Sequence, residues 1–207
     1  MEQGSPEWHQ VRIGKVTASR VHDIIAKTKT GVSASRANYL AELVAERLTG
    51  AREESFTNSA MQWGIDNEAA ARASYAFLTD ATVTEVAFVE HPHIAMCGAS
   101  PDGLVDATGL IEIKCPGTAK HIATLRGASI DAKYNTQMQW QMACTGRDWC
   151  DFVSYDPRLP VELQLHVRRV ERDSTFIDEV EREVVSFLGE LNATISDLTK
   201  LYMREAA

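Results

Sequence analysis

The sequence predicts an α/β protein with a mixed central β-sheet flanked by helices, in one domain over residues 1–207. Three observations predict it. Helix-periodic segments fill most of the first 80 residues, a strand-rich section runs to residue 116, and helices, strands and a last helix follow. With 207 residues and 44% hydrophobic content, the chain can build an ordinary core without disulfide or metal staples. No repeat, low-complexity tract or Pro/Gly-rich linker divides it.

In order along the chain, VTASRVHDIIAKT offers Thr17 or Ser19 as a helix cap, and Val21, Ile24 and Ile25 as an apolar stripe. SRANYLAELVAERLTG reads as a second helix ended by Gly50. SAMQWGIDNEAAARASYAFLT reads as a third, with Glu68 in its middle. ATVTEVAFVE alternates as a strand should. IAMCGASPDGLVD and GLIEIKCP then read as two strands joined by a tight turn at Ala107-Thr108-Gly109. Helices are expected over 118–127 and 131–145, the second ended by Gly146, and strands in DWCDFVSYD and VELQLHVRRVE. Over 173–204 the spacing of Ile177, Val180, Val184, Leu188, Leu191, Ile195, Leu198 and Tyr202 predicts a long amphipathic helix.

The composition excludes several classes. No apolar run reaches membrane-spanning length and MEQGSPEWHQ does not read as a signal peptide, so a cytoplasmic protein without a membrane partner is expected. Cys97, Cys115, Cys144 and Cys150 form no C-x-x-C pair and read as reduced and mostly buried, not as a zinc or iron–sulfur cage. His91 and His93 read as part of a turn. The net charge of −8 argues against a generic nucleic-acid coat. The basic surplus lies in residues 1–52, with eight Lys/Arg against five Asp/Glu, and includes Arg12, Lys15, Arg20, Lys27, Lys29 and Arg36. By charge alone this reads as a solvated face.

The chemistry concentrates in CGASPDGLVDATGLIEIKCP, residues 97–116. In LIEIK, alternation turns Ile111 and Ile113 into the core and sets Glu112 and Lys114 together on the other face. A three-residue loop from Ala107 to Gly109 pairs Asp106 with Leu110. It places Asp102 opposite Lys114 and on the diagonal from Glu112, roughly 7–8 Å away. A four-residue loop would turn Asp102 to the opposite face. Two carboxylates side by side repel unless a cation separates them, and oxygen-only ligands suit Mg²⁺ or Mn²⁺. Such an ion activates a phosphodiester, with Lys114 orienting water, taking its proton or stabilising phosphate charge. An exposed hairpin carrying an i,i+2 charge pair is the alternative.

Asp102…Glu112-Ile113-Lys114 resembles the D…E-x-K core of the restriction-endonuclease-like, PD-(D/E)XK, nuclease fold. WHQVRIGKVTAS, WGIDNEAAA, SPDGL…LIEIKCP and YNTQMQWQM, with YDPR at 155–158, occur in the order and spacing of the lambda exonuclease family of phage-type alkaline exonucleases. The resemblance spans about residues 5 to 190. It implies a restriction-endonuclease-like core and a processive 5′→3′ exonuclease that degrades one strand of linear double-stranded DNA. The products would be 5′ mononucleotides and a 3′ single strand for phage-type recombination. It further implies a homotrimeric ring and a single-strand annealing protein as partner.

Residue by residue, the resemblance makes Asp102 and Glu112 the carboxylates that bind two Mg²⁺ ions, with the backbone carbonyl of Ile113 and with Glu68 near the second ion. Lys114 matches the catalytic lysine, and Tyr134, Gln137 and Gln139 match a helix beside the active site. Arg12, Ser19 and Ser100 match a pocket for the 5′-terminal phosphate, where a guanidinium and hydroxyls suit a dianion. Lys120 stands where the family has an arginine, keeping the charge but losing the bidentate geometry. Met61 is placed like the apolar residue that wedges the duplex end apart, or else is a core methionine. Because Lys114 is charged at neutral pH, a role as base would favour alkaline activity. Two alternatives are an endonuclease of the same fold, restriction or junction-resolving, and a non-enzymatic DNA-end-binding recombination protein.

Overall fold

The computed structural model describes residues 2–28, 31–52 and 58–203. Lys29 of the basic surplus and residue 204 of the expected last helix lie outside them. A short helix that the pattern reading omits opens the fold, α1 (Pro6–Arg12), with Pro6 at its first position and the Ser5 hydroxyl accepting from Trp8 N. There follow β1 (Val16–Thr17), α2 (Ala18–Ile25), a hairpin of β2 (Lys27–Thr28) and β3 (Gly31–Val32), α3 (Ala34–Thr49) and α4 (Ser59–Thr79). Ser33 caps α3, and Gly50 ends it in the left-handed conformation that a side chain resists.

The expected β section is more broken than its alternation implies. ATVTEVAFVE yields β4 (Val83–Thr84) and β5 (Val89–Glu90), and IAMCGASPDGLVD yields β6 (Cys97–Ala99) and β7 (Gly103–Val105). These four strands belong to two sheets. Strand β6 lies between β1, parallel to it, and β5, antiparallel to it. The larger sheet takes β7 and β4, together with β8 (Gly109–Lys114), β9 (Trp149–Tyr155) and β10 (Leu165–Glu171), in the order β10-β9-β8-β7-β4. Only the β8–β9 pair in it is parallel, so the sheet is mixed, as expected. Between β8 and β9 run α5 (Thr118–Leu125) and α6 (Ala132–Thr145), and α7 (Ser174–Tyr202) ends the chain.

The larger sheet is covered on both faces. Ile111, Ile113, Val105, Val153 and Tyr155 pack under Ala71 and Tyr75 of α4. Leu110, Cys150 and Phe152 pack against Met138, Met142 and Ala143 of α6. The far side of α6, with Trp140 and Cys144, joins a third apolar layer with α2, α3, α7 and the smaller sheet. The stripe of α7 therefore lies mostly on helices, with Ile177 alone of its buried side chains in the sheet-facing cluster. Tyr202, expected in that stripe, is exposed. The four cysteines are free, and only Cys115 is not fully buried. Among the described residues no helix is long and apolar enough to cross a membrane.

The β7–β8 register differs from the expected one. Gly103 pairs with Ile111, Leu104 with Leu110 and Val105 with Gly109, so the three-residue loop is Asp106-Ala107-Thr108. Asp102 therefore aligns with Glu112, not with Lys114. Two features move the turn. Asp106 adopts φ 45°, and Arg147 Nη1 donates to the carbonyls of Val105, Asp106 and Gly109 at 3.0, 3.0 and 2.8 Å. A shift of two residues in pairing keeps every side chain on its face. Asp102 and Glu112 therefore still meet.

Candidate active site

At the C-terminal end of β8, the larger sheet opens into a cleft of about 890 Å³ between α4, the 112–117 segment and the start of α6. Asp102, Glu112, Ile113, Lys114, Glu68, Tyr134, Gln137 and Met61 all line it. Local physics puts them there. Pro101 and Asp102 break away from β6, and where β7 falls short of β8, Asp102 Oδ2 accepts the Ile113 N–H at 2.6 Å. Alternation along β8 places Ile113 under α4 and Glu112 on the α6 side. Glu112 is fully buried. Its Oε2 accepts from Gln141 Nε2 at 2.7 Å, and its Oε1 meets the Lys114 ammonium.

The electrostatics follow from burial and crowding. Burial raises the Asp102 pKa well above the ordinary carboxylate value, and the charges of Glu112 and Glu68 add to the rise against Lys114 and the Ile113 amide. Burial also raises Glu68, Arg72 opposes that, and Glu112 adds to it. For Lys114, burial alone would depress the ammonium, but Glu112 and Asp102 outweigh it and hold its pKa above the usual lysine range.

The residues fit a divalent cation by the chemistry of the donor set: the donors are hard oxygens, and the only cation on the buried Glu112 Oε1 among the described residues is the Lys114 ammonium. Among the described residues no three His, Cys, Asp or Glu side chains form a ready-made cage. Glu68 is drawn toward Arg72, whose Nη2 donates to it at 2.5 Å, and Lys114 occupies Glu112. Asp102, Glu112 and the Ile113 carbonyl are the groups that would hold an ion.

The second candidate group divides between two places. Arg12 and Ser19 line a pocket of about 100 Å³ between α1, α2 and α3. Ser100 does not line it but adjoins it: Trp8 Nε1 donates to Ser100 Oγ at 2.9 Å, and the Arg12 guanidinium stacks 3.7 Å from the Trp8 ring centroid. Lys120 lies elsewhere, exposed on α5 with its Nζ 5.2 Å from the Tyr134 ring centroid. Met61 is 50% exposed on the first turn of α4, which removes the core-methionine alternative. Gln139 is a correction to the helix assignment. It is buried, donates to Glu171 O and accepts from Asp173 N, so it joins β10 to α7 away from the cleft.

Several site residues escape the sequence reading. Gln141, one helical turn after Gln137, is the helix residue that reaches Glu112. Arg72, one turn after Glu68, bonds Glu68, Glu85 and the Asp102 carbonyl. Both carry an i,i+4 signal. Arg158 lines the cleft, stacks 4.3 Å from the Trp63 ring centroid and is clamped by Asp156. Arg52 enters the Arg12 pocket with its Nη1 3.2 Å from His9 Nδ1. Burial and then the Arg52 charge lower the Arg12 pKa to about 10. The pocket's acids are already engaged, Glu42 by Arg20 and Glu46 by the Gly14 amide.

A mixed sheet with a carboxylate–lysine cleft at its end, covered by α4 and α6, places this chain in the fold class of phage exonucleases. A solved alkaline exonuclease from Laribacter hongkongensis, LHK-Exo, superposes with a TM-score of 0.89 and 54% identity, over 95% of this chain and 97% of that one. The same enzyme in complex with dAMP matches equally well. A phage-related exonuclease from Haemophilus somnus shares the fold at a TM-score of 0.70 and 18% identity, over 89% of this chain and 96% of that one. No curated protein matches. Residues 7–148 match the YqaJ-like viral recombinase domain, and the chain belongs to that family.

Proposed function

We propose that the chain is a metal-dependent exonuclease of the PD-(D/E)XK type. It digests one strand of linear double-stranded DNA from a 5′ end, releasing 5′ mononucleotides and leaving a 3′ single strand for recombination. The observation that carries this reading is the convergence of Asp102, Glu112 and Lys114 at one open cleft. Membership in a viral recombinase family supports it, as does the 54% identical relative, an alkaline exonuclease crystallised with dAMP.

Asp102, Glu112 and the Ile113 carbonyl would hold the divalent ions, Mg²⁺ or Mn²⁺, and Glu68 is the further carboxylate available to a second ion. The ions would supply Lewis-acid polarisation of the scissile phosphodiester. Gln141 fixes the Glu112 carboxylate, and the Ile113 amide fixes that of Asp102. Lys114, released from Glu112, orients the attacking water and meets charge developing on the phosphate. Tyr134 and Gln137 form the α6 wall of the cleft, and Met61, which also lines it, is assigned the wedge that separates the duplex end. The terminal phosphate docks on Arg12 with Ser19 at the start of α2, Ser100 adjoining, and Lys120 contacts DNA separately.

An acidic chain has little electrostatic hold on DNA, so processivity is assigned to a homotrimeric ring around the strand, working with a single-strand annealing protein. The test is digestion of 5′-phosphorylated linear duplex and of a covalently closed circle with Mg²⁺. Release of 5′ mononucleotides from the linear form alone is expected. Efficient cutting of the circle would make the chain an endonuclease, and end binding without hydrolysis would make it a scaffold.

A further inference from the structure

Beyond the catalytic cleft, on the other side of Tyr134, lies a second cavity of about 230 Å³ between α5, the 128–131 segment and the β9–β10 edge of the sheet. Its walls combine two chemistries. Phe152 and Tyr134 form an aromatic wall, stacked with centroids 5.9 Å apart. Lys120 and Arg168 bring positive charge, and among the described residues neither has a carboxylate partner. The one acid in the lining, Asp131, is turned to the Lys133 amide as the cap of α6. Ala123 and Ala128 leave the space open. Two cations without carboxylate partners beside an aromatic wall suit a ligand that is both planar and anionic.

We propose that this cavity is a nucleotide-binding site, which takes one deoxynucleotide with its base in the Tyr134–Phe152 end and its phosphate on Arg168 and Lys120. The choice of a nucleotide among planar anions rests on reading the neighbouring cleft as a nuclease. Tyr134 lines both spaces and stands between them, with Lys114 Nζ and Lys120 Nζ 5.0 and 5.2 Å from its ring centroid. The occupant comes from one of two sources with the same chemistry, a released mononucleotide or a nucleotide unit of a DNA strand. His166, half-buried in the same wall, has its pKa lowered, chiefly by burial, with the Arg168 charge adding to the fall.

Calorimetric titration of the whole chain with dAMP, and separately with a short oligothymidylate, in EDTA tests the site. Arg168→Ala removes the phosphate anchor and Ala123→Trp fills the space. Both lie outside the catalytic cleft and should leave the initial rate of Mg²⁺-supported hydrolysis within twofold. Weakening of dAMP binding by tenfold or more in both variants, with partial recovery in Arg168→Lys, identifies a product site. The same weakening for the oligonucleotide alone identifies a strand site. Binding of both probes that ignores both variants, or no binding of either, overturns the inference. Failure of wild-type hydrolysis would overturn the nuclease reading instead, because the EDTA titrations do not depend on turnover.

Discussion

Asp102 Oδ2 accepts the backbone N–H of Ile113 at 2.6 Å, and this bond joins the two arms of the hairpin where their ladder ends. It also aims the carboxylate at Glu112, which puts two acids and Lys114 in one half-open space. Asp102→Asn keeps an acceptor for the amide and removes the charge. In EDTA its melting temperature should equal or exceed that of wild type, because the raised Asp102 pKa means that its ionised form works against the fold. Adding Mg²⁺ should raise the melting temperature of wild type and leave that of Asp102→Asn nearly unchanged. Differential scanning calorimetry with and without Mg²⁺ reads both.

Gln141 would act as a positioning residue, since it is fully buried, lies outside the cleft lining and bonds Glu112. Gln141→Leu should lower Mg²⁺ affinity roughly 10–100-fold. A dependence of rate on Mg²⁺ concentration that saturates later in the variant, with the DNA KM unchanged, checks this. A purely structural role would lower the melting temperature without moving the Mg²⁺ dependence.

Arg52 should matter to the terminal phosphate. It and Arg12 share a pocket whose carboxylates are already paired, so the two guanidiniums have room for an external anion. Arg52→Ala should reduce the preference for 5′-phosphorylated over 5′-hydroxyl ends about tenfold, chiefly through KM. Comparison of initial rates on the two substrates measures it.

Asp156 braces Arg158, which lines the cleft. Its side chain is buried and accepts from Arg158 N, Nε and Nη2 and from the Thr118 hydroxyl, between 2.7 and 3.1 Å. Chiefly through the Arg158 bonds, its pKa falls to about 2. A depressed carboxylate pKa gives stability that is present in full above the unfolded value near 4 and is lost as pH falls toward 2. Asp156→Asn should cost about 1–3 kcal/mol at neutral pH, and the gap from wild type should narrow over that window. Urea denaturation at pH 7 and at low pH checks the sign.

The face pattern of LIEIK was legible because a period of two survives any even shift in register. The register itself was not, because Arg147, about forty residues along the chain, grips the turn at Asp106. The helices were legible from their caps and glycines, Gly50 and Gly146 among them. The short α1 carried its signal in Ser5-Pro6, which the apolar pattern does not register. The break between β6 and β7 was not legible, since Ala99 and Gly103 enter different sheets for reasons of tertiary packing. Within the site, Asp102, Glu112 and Lys114 are close in sequence and were found together. Arg52 and the Lys120–Arg168 wall depend on contacts between distant segments and left no local trace.

The most direct measurement is single-turnover hydrolysis of 5′-labelled linear duplex by Asp102→Ala, with end binding followed in the same samples. Loss of mononucleotide release by a factor of about 10³ or more, with end binding retained, is the predicted result. Hydrolysis by Asp102→Ala at a rate near wild type would contradict the assignment of the reaction to this cleft.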